Sequence, residues 1–304
     1  MTRRLSDVLK NAGIAVRENV QAAPLFTMKT GGTAALLIEP ACKNELILAV
    51  RILHAHAYPY EIIGKGSNVL LADGYVPVAL IRTVALDALR FTKTGVVADA
   101  GVSLIALSVR AAHLGFADLA FACGIPGTLG GALFMNAGAY GSAISDVVER
   151  VVVYCPDEDE IKTLFNDELN YSYRNSVFQR NNWVILSAVL TLTKRDEPAQ
   201  IFARMRERNA QRRETQPLTF PSAGSVFRRP APDMPLSAIM DEIGCKGMRI
   251  GDAAVSEKHA GFIINCGAAT TADVKTLIEC LANKLEKERG IRPHVEVRFI
   301  PRET

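Results

Sequence analysis

Apolar positions along the chain recur at helical spacing in several stretches and gather into β-branched blocks between them. Leu46, Ile47, Val50, Leu53 and Ala57 share one face of a helix predicted over 44–57, and residues 4–14 predict a shorter leading helix. Ser103 is placed as the N-cap of a third helix, whose Leu104, Ile105, Leu107 and Ala111 run to a stop at Gly115. The clearest amphipathic helix lies near the C-terminus. Val274, Leu277, Ile278, Leu281 and Leu285 line its buried face, Thr270 and Asp273 make a capping box, and Gly290 ends it. A short helix is predicted near 236–243. Strands are predicted over 34–38, 60–63, 149–155 and 184–192, with broken strand-like text over 76–100. In the last strand Val295, Val297 and Phe299 alternate with His294, Glu296 and Arg298. A βαβ-like unit is expected around the turn at Gly64, and no internal repeat interrupts the pattern.

Composition changes this picture mainly by exclusion. At 304 residues the chain exceeds one typical domain, so two or three lobes with their own cores are expected. The boundary is placed in 198–221, where a helix carrying Arg204, Arg206, Arg208, Arg212 and Arg213 runs into a proline-rich turn. Those arginines read as a solvated face, with bidentate anion contacts as the alternative. A net charge of only +3 argues against nucleic acid as a partner. No apolar run approaches the roughly 20 residues of a membrane span, and no apolar signal core follows the first residues, so a cytoplasmic location is expected. The six cysteines are dispersed without Cys-x-x-Cys spacing, and His54 and His56 fall on different faces of their helix; no metal is expected.

Candidate chemistry begins with glycine. Residues 124–141 hold six glycines among small and apolar side chains rather than the Ser, Lys or Glu of a linker. Ile125, Leu129, Leu133, Phe134 and Met135 need burial, so the glycines let backbone come close either to a ligand, such as a flat ring or a pyrophosphate, or to a second chain segment. Gly64, Lys65, Gly66, Ser67 and Asn68 stand between two aliphatic runs, which reads as strand, tight turn, strand. Such a turn is either an anion-binding nest or an ordinary hairpin. It matches neither the dinucleotide fingerprint nor the P-loop.

Three further segments each carry one reactive group. Tyr171 to Phe178 interleaves Arg174 with aromatics that can hold a guanidinium for a carboxylate, or simply pack on it. Ser225 follows two small residues, Ala223 and Gly224, that leave room around its hydroxyl, although Gly-x-Ser-x-Gly is absent. Glu296 sits on the polar face of the last strand, where exposure is the ordinary reason for a carboxylate.

Taken in order, Thr27 to Gly32, Gly64 to Asn68, Gly124 to Gly131, Asn136 to Gly141, Tyr173 to Phe178, Ala223 to Phe227 and Val255 to Asn265 resemble the UDP-N-acetylenolpyruvoylglucosamine reductases, flavoenzymes of bacterial peptidoglycan synthesis. The resemblance spans nearly the whole chain. It implies an α+β fold with a two-part FAD-binding lobe of the vanillyl-alcohol-oxidase type over 1–200, split near 85, and a smaller substrate-binding lobe over 201–304 whose last strand returns to the active site. It also implies noncovalent FAD, NADPH as cosubstrate and UDP-N-acetylglucosamine enolpyruvate as substrate, in a cytoplasmic monomer. Gly64, Lys65, Gly66, Ser67 and Asn68 would clasp the pyrophosphate, and Gly124, Ile125, Pro126, Gly127, Gly131 and Ala137 would lie close to the flavin. Hydride from NADPH would pass through FAD to the vinyl carbon of the enolpyruvyl ether. Arg174 matches the arginine that holds the substrate carboxylate, Glu296 the glutamate that stabilises the enol, and Ser225 the proton donor. Arg228-Arg229 departs from the Lys-Asn that often follows the serine segment, and the extra tyrosine loop of one subgroup is missing. Lys258 and His259 are left without roles.

Overall fold

The computed structural model of the protein describes residues 2–231 and 234–301. The first part of the chain runs through α1 (Thr2–Asn11), β1 (Val16–Gln21), β2 (Thr33–Ile38), α2 (Lys43–Ala55), β3 (Tyr60–Ile63), β4 (Val69–Leu71) and β5 (Tyr75–Arg82). Next come β6 (Leu89–Phe91), β7 (Gly95–Asp99), α3 (Leu104–His113), α4 (Leu129–Met135), β8 (Gly138–Ala139), β9 (Ser142–Ala143), β10 (Val148–Cys155), β11 (Glu160–Phe165) and β12 (Val184–Thr191). The remainder holds α5 (Pro198–Thr215), β13 (Ser222–Ser225), α6 (Leu236–Glu242), β14 (Arg249–Ile250), β15 (Ala253–Val255), β16 (Phe262–Asn265), α7 (Thr271–Arg289) and β17 (Arg298–Ile300).

Two compact units result. The first comprises Met1–Glu18, Leu36–Lys65 and Val78–Ala210, and the second Asn19–Ala35, Gly66–Pro77 and Gln211–Thr304. Strands β1, β2, β5 and β3 make a four-stranded sheet of order β1-β2-β5-β3. The first unit also contains the five-stranded sheet β11-β10-β12-β7-β6. One face of that sheet, with Val96, Ala98, Val151, Val153, Ala188 and Leu190, packs on Leu104, Leu107, Leu129 and Leu133 of α3 and α4. Burying such side chains stabilises by about 1.5–3 kcal/mol each before the entropy of ordering them is counted.

The second unit is built on the sheet β13-β16-β15-β14, with α7 packed on β14 and β15. The predicted face of α7 is the one buried: Val274, Leu277, Ile278, Leu281 and Leu285 all enter this core. Its ends are also as predicted. The Thr270 side chain accepts from the Asp273 N–H, and Gly290 closes the helix at φ 66°, in the left-handed region where only glycine is unstrained. A second anchor holds the first turn, because the Asp73 carboxylate accepts from Thr271 N–H at 3.0 Å and Ala272 N–H at 2.8 Å. Buried Asn265 joins three segments: its amide donates to the Met28 carbonyl at 3.1 Å, and its oxygen accepts from Gly267 N–H at 2.9 Å and Ala269 N–H at 3.1 Å.

Several local expectations change. The strands on either side of the Gly64 turn do not form a hairpin: β3 pairs in parallel with β5, and β4 in parallel with β17. The leading helix ends at Asn11 rather than at 14, because Gly13 turns the chain at φ 81°. Between the strands predicted over 149–155 and 184–192 lies a further one, β11, an edge strand paired with β10. Among the described C-terminal residues regular strand is confined to Arg298–Ile300, and Val295 is exposed. Among the described residues no helix is long and apolar enough to cross a membrane. Among the same residues no group of three or more His, Cys, Asp or Glu could hold a metal ion.

Candidate active site

In the first unit three segments are woven together. Leu104 N–H donates to the Gly127 carbonyl at 3.1 Å, Leu129 N–H to Val102 at 2.8 Å and Gly130 N–H to Ala100 at 2.8 Å, so residues 100–104 and 127–130 run side by side. Thr128 caps α4, its hydroxyl accepting from Gly131 N–H at 3.3 Å. The Gly64 turn lies on this crossing: a Cβ built on Gly64 would meet the Thr128 hydroxyl oxygen at 2.3 Å. Ser103 is the N-cap residue of α3 as predicted, yet its side chain caps nothing; its hydroxyl instead accepts from the Lys65 ammonium at 2.7 Å.

These contacts settle the role of some glycines. A Cβ on Gly130 would stand 3.1 Å from Ala100, and one on Gly138 2.5 Å from the Ser142 carbonyl, so both are small because backbone passes close to backbone. Gly131 is different. It is exposed, and a Cβ there would come no nearer than 3.6 Å to the Thr128 hydroxyl. Ile125 follows the short 3-10 helix Ala120–Gly124, Pro126 is exposed, and Ala137 is tied by its N–H to Ala132 and by its carbonyl to Ile144 N–H. An exposed ammonium at Lys65 and side-chain-free backbone at Gly127 and Gly131 suit a flavin nucleotide, which brings both a diphosphate and a flat ring.

Arg174 belongs to the same unit. Tyr173 and Arg174 are the central pair of a tight turn closed by reciprocal backbone bonds between Ser172 and Asn175, at 3.2 and 3.1 Å. Arg174 has φ 54° at the second central position, normally given to Gly or Asn. For an arginine this costs about 1–2 kcal/mol. Its guanidinium donates to the carbonyls of Gly138 at 2.9 Å and Asn136 at 3.3 Å, and lies 5.2 Å from the Tyr173 ring centre. Asn136 is itself buried and left-handed at φ 44°, where it ends α4. Its amide donates to the Ser172 carbonyl at 2.9 Å and its oxygen accepts from Ser145 N–H at 3.2 Å. Beside this turn the Tyr171 hydroxyl is buried without a hydrogen-bond partner, and burial pushes its pKa well up.

The second unit brings Ser225, Glu296 and Asn68 together. Ser225 ends β13 opposite Phe262, after an irregularity in pairing at which Gly224 takes φ 80°; Ser225 is exposed. The chain then pairs with the C-terminal segment: Glu296 N–H donates to the Val226 carbonyl at 2.7 Å and Arg228 N–H to the His294 carbonyl at 2.9 Å. Asn68 holds the same segment from the other side. Its amide donates to the Glu296 carbonyl at 3.1 Å, and its own carbonyl accepts from Arg298 N–H at 3.1 Å. Gly66, at φ 63°, is packed against the Leu25 carbonyl and the Phe26 ring, and Thr27 N–H donates to its carbonyl at 3.1 Å. Ser67 between them is half-buried.

Two residues left without roles in the sequence have defined surroundings. The Lys258 ammonium donates to the Arg213 carbonyl at 2.5 Å. The His259 ring stands edge-on to Phe262 and accepts at Nδ1 from Gly261 N–H at 3.1 Å. Burial lowers the His259 pKa, and the charge of Lys246 adds to the effect. Sequence reasoning also missed Thr128, a hydroxyl one residue before an apolar helix start, and Gln179, whose amide donates to Arg174 and Phe134 carbonyls. The first has a recognisable N-cap signature; the second has none.

Comparison with known proteins places the chain among its relatives. Residues 216–300 match the C-terminal domain of UDP-N-acetylenolpyruvoylglucosamine reductase, and residues 34–163 match an FAD binding domain. A protein of Pseudothermotoga lettingae named UDP-N-acetylenolpyruvoylglucosamine reductase is 42% identical over 271 residues, which is 89% of this chain and 93% of that one. Another of that name, from Caldanaerobacter subterraneus, is 38% identical over 98% of this chain and 97% of its own. The crystal structure of the reductase from Thermus caldophilus superposes with a TM-score of 0.80 at 30% identity, covering 94% of this chain and 99% of that chain. The fold is therefore the α+β arrangement of an FAD-binding lobe followed by a reductase-type C-terminal domain, and the chain belongs to the UDP-N-acetylenolpyruvoylglucosamine reductase family.

Proposed function

We infer that this protein reduces the enolpyruvyl ether of UDP-N-acetylglucosamine enolpyruvate to UDP-N-acetylmuramate, an FAD- and NADPH-dependent step of peptidoglycan synthesis carried out by a cytoplasmic monomer. The observation that carries the reading is the backbone pairing of residues 226–228 with 294–296, which brings the chain at Ser225 beside the chain at Glu296 in a family whose chemistry needs an acid and an enol stabiliser. FAD, when bound, supplies the hydride that it has taken from NADPH. Residues 1–200 are proposed as the flavin lobe and 201–304 as the substrate lobe. The Gly64 to Asn68 turn is assigned to the diphosphate, and Gly124, Ile125, Pro126, Gly127, Gly131 and Ala137 to the flavin.

The protein's own groups then have separate tasks. Arg174, fixed by two backbone carbonyls, holds the substrate carboxylate and places positive charge where negative charge develops on the adjoining carbon. Charge fixed in advance in this way is commonly the largest single source of barrier lowering in an enzyme. Ser225 delivers a proton to that carbon while the Glu296 carboxylate stabilises the enol form. A serine hydroxyl is a weak acid in water, and becomes a competent donor only to a strongly basic carbon in a site from which solvent is excluded. Product formation thus adds one hydride and one proton across one double bond. The test is an anaerobic titration: NADPH should bleach the yellow protein, and the enolpyruvyl sugar nucleotide should restore the colour with one UDP-N-acetylmuramate formed per flavin. Colour restored by oxygen but not by the nucleotide would overturn the reading in favour of an oxidase, and protein purified without flavin would point to a sugar-nucleotide-binding protein instead.

A further inference from the structure

The strained turn that presents Arg174 is held by a residue that neither the glycine-rich stretch nor the turn contains. The Gln179 side-chain amide donates to the Arg174 carbonyl and to the Phe134 carbonyl, both at 3.0 Å. One carboxamide therefore ties the backbone of the left-handed arginine to the last turn of α4. Ser176 reinforces the link, its hydroxyl donating to the same Phe134 carbonyl at 2.7 Å. On the other limb of the turn the Asn136 amide holds Ser172 at 2.9 Å. A non-glycine residue at φ 54° persists only where its surroundings over-determine it, and such outliers gather where geometry matters for function.

We propose that Gln179 is a positioning residue for the reductive step: it fixes the Arg174 backbone so that the guanidinium is presented at one angle to the substrate carboxylate. The proposal rests on the carboxylate-binding role assigned to Arg174. Gln179 is assigned its contribution through the backbone position of Arg174. Loss of its amide lets the turn relax toward an unstrained φ, which moves the guanidinium while leaving the rest of the unit in place. Displacement on the order of an ångström at a positioned group costs up to about 100-fold in rate.

The test uses FAD-loaded enzyme carrying Gln179→Met, which keeps length and volume and removes the donor, alongside Arg174→Ala and the double variant. Binding of UDP-N-acetylglucosamine enolpyruvate without NADPH is measured by calorimetry and compared with UDP-N-acetylglucosamine, which lacks the carboxylate; the two half-reactions are timed separately. Gln179→Met is expected to weaken the enolpyruvyl nucleotide selectively and to slow flavin reoxidation by it roughly 10- to 100-fold, with reduction by NADPH unchanged. In the Arg174→Ala background the same substitution should add nothing, the signature of a residue acting through another. Equal weakening of both nucleotides, or losses that add in the double variant, would overturn the proposal. Arg174→Ala binding the two nucleotides as the parent does would instead remove the Arg174 role, and the proposal with it.

Discussion

The Glu296 backbone N–H donates to the Val226 carbonyl at 2.7 Å, tying the C-terminal segment to the residue that follows Ser225. The bridge between Phe227 and Val295 and the bond from Arg228 N–H to the His294 carbonyl extend this contact into a short antiparallel ladder. The backbone at Ser225 and the backbone at Glu296, far apart in sequence, are thereby held side by side.

Ser225→Ala should separate the two half-reactions. Flavin reduction by NADPH is expected to stay within about twofold, whereas reoxidation by the enolpyruvyl nucleotide should slow by about 10²–10⁴, the usual contribution of a positioned proton donor. Stopped-flow absorbance of the flavin reads both. Equal slowing of the two would show that the serine shapes the site rather than supplying a proton.

Gly64→Ala should destabilise the first unit, because the new methyl would stand 2.3 Å from the Thr128 hydroxyl oxygen and 2.9 Å from its methyl. Overpacking of this kind costs about 1–3 kcal/mol. Thermal unfolding of Gly64→Ala, Thr128→Ala and the double variant checks the cause, since removing both offending atoms should recover part of the loss. Additive losses would mean that the clash is not with Thr128.

Asp73→Ala removes an acceptor for the first two N–H groups of α7, at 3.0 and 2.8 Å. Hydrogen bonds to a charged group contribute about 1.5–3 kcal/mol, and a negative charge at a helix N-terminus adds a few tenths or more. A fall of that size in the unfolding free energy from urea titration is expected, seen as a lower midpoint, with a smaller fall for Asp73→Asn, which keeps one acceptor oxygen. Unchanged midpoints in both variants would assign the helix start to Thr270 and Asp273 alone.

The buried ring of His259 predicts a pH dependence of stability. Its folded-state pKa lies below the ordinary value of 6.5, so below about that pH the unfolded chain takes up a proton that the folded protein does not. The contribution is therefore fully present above 6.5 and is lost as pH falls through the folded-state pKa. Protonation also ends the acceptance of Gly261 N–H at Nδ1. Chemical denaturation of His259→Asn between pH 5 and 8 should show a flatter profile than the parent; parallel profiles would remove His259 as the cause.

Helix α7 was fully legible because its buried face, capping box and terminal glycine all point the same way within one stretch of sequence. Strand partners were less so. The two short strands around Gly64 carry no mark of whether they pair with each other or with β5 and β17, because pairing is set by segments more than ten residues away. Strand β11 was hidden by exposure: Ile161 and Phe165 are largely uncovered on an edge, so no buried alternation announces it. The glycine-rich stretch pointed to close backbone approach, but sequence could not say to what; at Gly64 and Gly130 the answer is another part of the same unit. Arg174 was picked out by its aromatic neighbours, yet its left-handed backbone and the support of Gln179 follow from tertiary contacts alone.

The proposed action of Arg174, Ser225 and Glu296 on one double bond is tested most directly by a crystal structure of the FAD-loaded protein with UDP-N-acetylglucosamine enolpyruvate bound. The Arg174 guanidinium is expected on the substrate carboxylate, and the Ser225 hydroxyl and Glu296 carboxylate within hydrogen-bonding reach of the enolpyruvyl group above the flavin. An enolpyruvyl group seated out of reach of any one of the three would contradict the proposed chemistry.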